Sequence, residues 1–251
     1  MWKIFIFMFM LNGAALAIEP EKNLNVFAAA SLTDALHDIS RKFEIKTKSR
    51  VYENLGGTPI LRVQIEKGMP CDVFLSANKD NVDQLVRKGL AEAGQSKRIL
   101  SNSLVVVVPT DSALEFDSLK DSAVDNIDHI ALADPDTVPA GIYAKEALVH
   151  FGVWERYKDK VVPAFDVRAA MALVESGNAQ MAVVYKTDAV LSKKVRVAYE
   201  IPSDTHTPVE YWAVLIKDAK DPQLGTEFIN FLTSPEARDI FRKYGFTGSD
   251  G

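Results

Sequence analysis

The chain has 251 residues, a single cysteine, 29 Lys and Arg against 34 Asp and Glu, and a formal net charge of −5. One thiol forms no intrachain disulfide, so stability has to come from a hydrophobic core, which 47% apolar residues can supply at this length. The negative balance argues against nucleic acid as a partner, and any anionic ligand has to be held by local design.

The first residues, MWKIFIFMFMLNGAALA, carry one cation at Lys3, an apolar stretch from Ile4 to Leu11, and Ala15 and Ala17 on either side of Leu16. This pattern predicts a secretory signal over residues 1–17 with a small-x-small cleavage site after Ala17. A membrane anchor needs about 20 predominantly apolar residues, a length that the polar IEPEKN interrupts. No cysteine near the cleavage point can accept a lipid. The expectation is a periplasmic protein that is not membrane-embedded, with roughly six net negative charges once Lys3 is lost.

From there strands and helices alternate. Asn25 to Ala29 reads as a short apolar strand, and Leu32, Ala35, Leu36, Ile39 and Phe43 recur at helical spacing, predicting a helix from Ser31 to about Phe43. Arg50 to Asn54 is a strand, followed by a turn and a helix in GGTPILRVQIEKG with Pro59 in its first turn and Gly68 past its end. CDVFLSAN gives a strand, in which Cys71 is read as a small buried hydrophobe. Asp80 to Lys88 gives a helix closed by Gly89, and SLVVVVP a fully apolar strand. A second block repeats the pattern: strand Ile130 to Leu132, helix Ala140 to Phe151 stopped by Gly152, a strand near Val161, helix Val167 to Glu175 and strand Met181 to Tyr185. Strands at Val195 to Ala198 and Tyr211 to Ile216 follow, then helices Thr226 to Leu232 and Pro235 to Tyr244. Near-continuous apolar strands between helices predict parallel sheets covered on both faces. With no low-complexity linker, two α/β lobes packed into one body are expected, with a ligand cleft between them beyond the carboxyl ends of the strands.

Signatures of chemistry are sparse. The chain has no G-x-S-x-G, no G-x-G-x-x-G and no P-loop lysine, and His37, His129, His150 and His206 share no ligand spacing. Asp134 and Asp136 in DPDTVPAG suit a turn before a helix better than general acid and base work. What remains is a set of helix starts. Ser31 stands three residues before Asp34, the spacing of a weak capping box; Thr58 precedes Pro59; Ala140 follows Pro139; Val167 follows Asp166. Each start leaves N–H groups without an intrahelical partner and carries partial positive charge, so several gathered at strand ends would form a nest for an anion. The same residues also suit plain capping, worth about 1 kcal/mol each.

The stretches VFAAASLTDAL, SNSLVVVVP, DPDTVPAGIYAKEAL, DVRAAMALVE, VVYKTDAV and RKYGFT resemble the periplasmic molybdate-binding proteins of bacterial ABC importers, over residues 24 to 247. That resemblance implies the type II periplasmic-binding-protein fold, each lobe a mostly parallel sheet flanked by helices, with lobe 1 at 18–102 and 206–251 and lobe 2 at 103–205. It implies a tetrahedral oxyanion, molybdate or tungstate, held by neutral donors: the hydroxyl and N–H of Ser31, the N–H of Ala140 and of Val167, and the phenol of Tyr185. Periodicity alone reads Tyr185 as a core aromatic at a strand end. The family's second serine falls on Thr58, whose hydroxyl and N–H keep the contact while its methyl group stiffens χ1. Gly56 and Gly57 beside it suit either a close approach to the anion or a turn. In this reading molybdenum is present only as the oxyanion, no cofactor is needed, and Arg168 faces solvent or is screened by Asp166 across Val167.

The resemblance further implies a monomeric receptor rather than an enzyme. It hands its anion to a membrane permease, on a hinge expected near Asn102 and Thr205. Three alternatives stand beside it: a receptor for sulfate or another oxyanion, an organic-acid receptor built on Arg168, and a hydrolase built on Asp134 or Asp136.

Overall fold

The computed structural model describes residues 22–92, 94–120 and 125–248, so the predicted signal at 1–17 lies outside the described residues. The first half runs β1 (Lys22–Ala29), α1 (Thr33–Thr47), β2 (Ser49–Gly56), α2 (Thr58–Glu66), β3 (Val73–Ser76), α3 (Lys79–Arg87) and β4 (Lys97–Ser101). The chain then crosses to β5 (Leu104–Pro109), β6 (Ile130–Ala133), α4 (Pro139–His150), α5 (Trp154–Tyr157), β7 (Val161–Ala164), α6 (Val167–Glu175), β8 (Met181–Tyr185), α7 (Lys186–Ala189) and β9 (Val195–Glu200). It returns through β10 (Glu210–Leu215), α8 (Pro222–Leu232), α9 (Pro235–Lys243) and β11 (Thr247–Gly248).

These strands form two sheets, ordered β11-β4-β10-β3-β1-β2 and β7-β6-β8-β5-β9. The apolar runs explain the layering. All residues of β6 and β8 and the first five of β5 are buried, as strands covered by helices on both faces must be. In the first sheet Phe43 of α1 meets Phe228 of α8 edge-on, ring centroids 5.0 Å apart, which ties the returning segment to the first helix. Helix ends follow local chemistry: α4 stops where Gly152 takes φ 72°, a conformation open to a residue without Cβ.

The sheets are not uniformly parallel. β1 pairs in parallel with β2 and β3, and β6 with β7 and β8, whereas β10 lies antiparallel to β3 and β4, and β5 antiparallel to β8 and β9. The reversed strands β5 and β10 are those that carry the chain across. Each enters its new sheet at the carboxyl end of a parallel strand, Leu104 opposite Tyr185 and Trp212 opposite Ser76, and so can only run backwards. Alternation of strands and helices does not encode that reversal.

Periodicity also misses β4, whose KRILS has only two apolar residues, and the four-residue helices α5 and α7, too short for a period to register. The first helix begins differently from expectation. Ala30–Leu32 form a 3₁₀ turn and the α-helix proper starts at Thr33.

Gly141, third residue of α4, marks how closely that helix meets β6. A Cβ there would overlap the backbone carbonyl oxygens of Ala133 and Asp134, which cannot yield without moving the strand end. Gly141→Ala should therefore lower the stability of the ligand-free protein by about 1–3 kcal/mol, read as a melting point several degrees lower. An unchanged melt would mean that the turn from β6 to α4 relaxes freely.

Candidate functional site

All five residues singled out from the sequence, Ser31, Thr58, Ala140, Val167 and Tyr185, line one small cavity. It lies where strands from both sheets end. Ala29 closes β1, Gly56 closes β2, Ala77 follows β3, and Tyr185 closes β8.

The helix starts aim at this space. The 3₁₀ turn begins after Ala29, α2 after Gly57 and α4 after Val138, all without a side-chain cap. Their first N–H groups have no acceptor within their own helix. Of the four helix starts in the lining, that of α6 is the one capped by a side chain, Asp166, whose carboxylate accepts from Ala169 N–H at 2.8 Å. Asp166 is also the single ionisable acid in the lining, and no Lys, Arg or His lines the cavity. Among the described residues no three His, Cys, Asp or Glu side chains gather as a metal site.

Two expected caps take other roles. Ser31 sits inside the 3₁₀ turn, where its Oγ lies 2.8 Å from Tyr211 Oη, so it does not form a capping box with Asp34. Thr58 is the first residue of α2 behind the cap Gly57, and its Oγ1 accepts from Ala77 N–H at 3.3 Å, leaving the hydroxyl hydrogen free. Ala140 is the second residue of α4 and Val167 the first of α6, and both line the cavity at helix starts.

Tyr185 carries the clearest signal. The residue is 1% exposed, yet its phenol has no hydrogen-bond partner. A buried hydroxyl left unpaired costs about 1–3 kcal/mol, so an orphaned one at a cavity wall points to a missing acceptor. Burial also holds its pKa well above the ordinary tyrosine value, which keeps it a donor.

Gly57 stands in the turn between β2 and α2 and lines the cavity, and it has a further use that the sequence does not show. At φ −61° and ψ 127° any residue fits its backbone, but a Cβ would run into the carbonyl oxygen of Phe165 on the opposite side of the cleft. Its missing side chain lets the two halves meet. Tyr143 of α4 likewise reaches across to donate to Ala77 carbonyl oxygen at 3.2 Å.

Arg168 stays outside the cavity lining, as expected, but its partners are neither solvent nor Asp166. Its Nη2 donates to Asp34 Oδ2 at 2.7 Å across the cleft, and its Nε lies 2.5 Å from Asp188 Oδ1. Asp188, in α7, is fully buried with neither oxygen in a well-directed hydrogen bond, so it draws the guanidinium away from Asp166. Asp134 and Asp136 also lie outside the cavity lining. Asp134 Oδ1 accepts from the N–H groups of Asp136 and Thr137 in a turn, and Asp136 pairs with Lys145 at 2.7 Å. Cys71 is buried with its thiol pushed up by desolvation, and His37 is an exposed residue 3.8 Å from Glu53. Tyr143, Asp188 and Tyr211 give no signal in the sequence, and Asn102 is expected only at a crossing, because a polar residue at a strand end or an aromatic in an element is read as punctuation or core.

Two α/β lobes joined by crossings and enclosing a cavity at their strand ends define a two-lobed solute-binding fold. Comparison with known proteins agrees. The profile of the family described as bacterial extracellular solute-binding protein matches residues 24–247. Molybdate-binding protein ModA of Escherichia coli (strain K12) is 40% identical over 244 residues, covering 95% of this chain and 93% of that protein. The solved substrate-binding domain of a putative molybdenum ABC transporter from Clostridium difficile is 33% identical with a TM-score of 0.71, covering 92% of this chain and all of the other. The periplasmic molybdate-binding protein of Azotobacter vinelandii, 23% identical, shares the fold with a TM-score of 0.79 over 89% of this chain and 98% of its own. The chain belongs to the bacterial extracellular solute-binding protein family.

Asp188 generates a test of the surroundings of the site. Burial raises its pKa to about 7, against the opposing pull of Arg168, whereas in an unfolded chain it ionises near pH 4. Between those values the folded state binds more protons than the unfolded one, so this group's contribution to stability is present at low pH and lost as pH rises. The melting point of wild type relative to Asp188→Asn should therefore fall from about pH 4.5 to 7 and level off above. A constant difference would show that Asp188 is ionised throughout.

Proposed function

We propose that this protein is the receptor of a bacterial ABC importer and captures molybdate, or tungstate, as a dianion between its lobes. The carrying observation is the buried, unpartnered Tyr185 phenol facing a cavity of helix starts that contains no cation. In this reading Ser31 and Thr58 give hydroxyl and main-chain hydrogens, Ala140 and Val167 main-chain N–H groups, and Tyr185 its phenol. Neutral donors suffice because hydrogen bonds to a charged group are worth roughly 1.5–3 kcal/mol each and about seven converge on one ion. They are oriented by helices before the anion arrives, so little is lost in ordering them.

The rest of the reading follows from transport. Residues 1–17 direct export to the periplasm. Lobe 1 comprises 18–102 and 206–251 and lobe 2 comprises 103–205. The crossings near Asn102 and Thr205 bend as the lobes close, and the protein works as a monomer that presents its closed form to a membrane permease. No cofactor takes part, and no step of chemistry is required of any residue. The name of the Escherichia coli relative, similar along nearly the whole chain, supports molybdate over other oxyanions. Sulfate, with the same shape and charge, is the alternative, and bond length is what separates the two. Hydrogen phosphate brings an O–H that needs an acceptor, and Asp166, which caps α6 by accepting from Ala169, is the one carboxylate in the lining that could supply it.

A thermal melt of ligand-free mature protein with molybdate, tungstate, sulfate and phosphate added separately tests this. At about 100 times its dissociation constant a ligand adds about 2.7 kcal/mol, or roughly 5–10 °C for a chain of this size. A shift with molybdate and tungstate alone is expected; a shift with sulfate reassigns the anion, and one with phosphate makes Asp166 an acceptor. Ser31→Ala and Tyr185→Phe should each weaken molybdate binding by about tenfold or more, and Arg168→Ala by less. The reverse order would replace the neutral nest with an ionic site. Because burial keeps the Tyr185 phenol protonated, affinity should stay nearly flat from about pH 6 to 8.5.

A further inference from the structure

Behind Ser31 lies a chain of hydrogen bonds whose direction can be read. It starts at Asn102, in the crossing between β4 and β5. Ser103 N–H donates to Asn102 Oδ1 at 2.9 Å, and only the amide oxygen can accept there, which fixes the orientation of the side chain. Its Nδ2 therefore donates, to Thr187 Oγ1 at 2.8 Å and to Tyr211 Oη at 3.2 Å. Tyr211 is completely buried, and burial keeps its phenol neutral with one hydrogen to give. That hydrogen cannot point back at a donor, and the acceptor beside it is Ser31 Oγ at 2.8 Å.

We propose that Tyr211, set by Asn102, is a positioning residue that turns Ser31 into an obligate hydrogen-bond donor to the bound anion. A serine hydroxyl is ambivalent. Were Ser31 to donate to Tyr211, its lone pairs would face the cavity and repel an oxyanion. With Tyr211 donating to Ser31 Oγ, the serine hydrogen is left for the cavity. The arrangement also bears on selectivity, because a serine oxygen that already accepts from Tyr211 is a poorer acceptor for an anion's own O–H. Thr58 is prepared in the same sense by the Ala77 N–H, so both hydroxyls of lobe 1 are committed as donors. This inference rests on Ser31 as a ligand of the proposed molybdate site.

The test is a double-mutant cycle read by calorimetric titration with molybdate and by competition with phosphate. Wild type, Ser31→Ala, Tyr211→Phe and the double variant are compared. Phenylalanine keeps the ring packed against Tyr185 and Phe246, at centroid distances of 6.0 and 5.6 Å, and the melt of each ligand-free variant reports its fold. Tyr211→Phe should weaken molybdate binding about 5- to 20-fold and narrow the preference for molybdate over phosphate. In the Ser31→Ala background it should have little further effect, since it acts through the removed hydroxyl. An effect of Tyr211→Phe that adds in full to that of Ser31→Ala, or an unchanged anion preference, would make Tyr211 merely structural and overturn the inference while leaving the molybdate reading intact. Failure of wild type to bind molybdate would overturn both. Should Tyr211→Phe not fold, Asn102→Ala removes the donor that sets Tyr211 and enters the same cycle: loss of its effect in the Ser31→Ala background supports the inference, and full additivity overturns it.

Discussion

A buried donor without an acceptor is the constraint on which this structure turns. The phenol of Tyr185 is lodged at the end of a fully buried strand, faces a cavity and meets no partner. Around it the backbone repeats the same condition at smaller scale, with helix starts at the 3₁₀ turn, α2 and α4 lacking any side-chain cap. Left empty, such a concentration of unmet donors is unfavourable, and an anion of the right size, as proposed, would relieve them together. The fold spends conformational order in advance so that binding has little left to organise.

Everything that brings these donors together follows from the way the chain crosses between sheets. Strands β1, β2, β3 and β8 deliver their carboxyl ends to the cavity, and the helices that follow β2, β6 and β7 begin there. A chain leaving one lobe at the cleft enters the other at the cleft, which makes β5 and β10 run against their neighbours. The crossings therefore lie directly beside the binding cavity. Asn102 belongs to a crossing and reaches Ser31 through one intervening side chain, so the joint between the lobes and the anion site share a hydrogen-bond network.

Much of this was legible in the sequence, and the part that was not has physical reasons. Apolar runs and helical spacing placed most strands and helices of both sheets, though not β4, and the helix-start argument led to Ser31, Thr58, Ala140 and Val167 without reference to any relative. Tyr185 needed the resemblance, because an aromatic closing an apolar strand looks like core until its hydroxyl is seen without a partner. The capping roles expected of Ser31 and Thr58 failed because a cap is a local idea, whereas the Ser31 hydroxyl answers to Tyr211, 180 residues away in the chain. Gly57 was similarly opaque: its backbone needs no glycine, and only the opposite lobe explains one. Strand reversal and long-range polar pairs are properties of the assembled chain, and no window of sequence contains them.

Arg168 shows how the same chemistry excludes charge from the site. A free guanidinium next to Val167 would attract any anion, organic acids included, through an interaction that falls off slowly with distance and discriminates poorly by shape. Here it is bound on two sides, by Asp34 across the cleft and by Asp188 in the interior. The second partner is costly to bury, and its raised pKa records that cost, yet its effect is to hold the guanidinium away from the cavity. The anion is left to dipoles whose positions are fixed by backbone. Selectivity then depends on oxygen geometry and on who carries the hydrogens, which are the two properties by which one tetrahedral oxyanion differs from another.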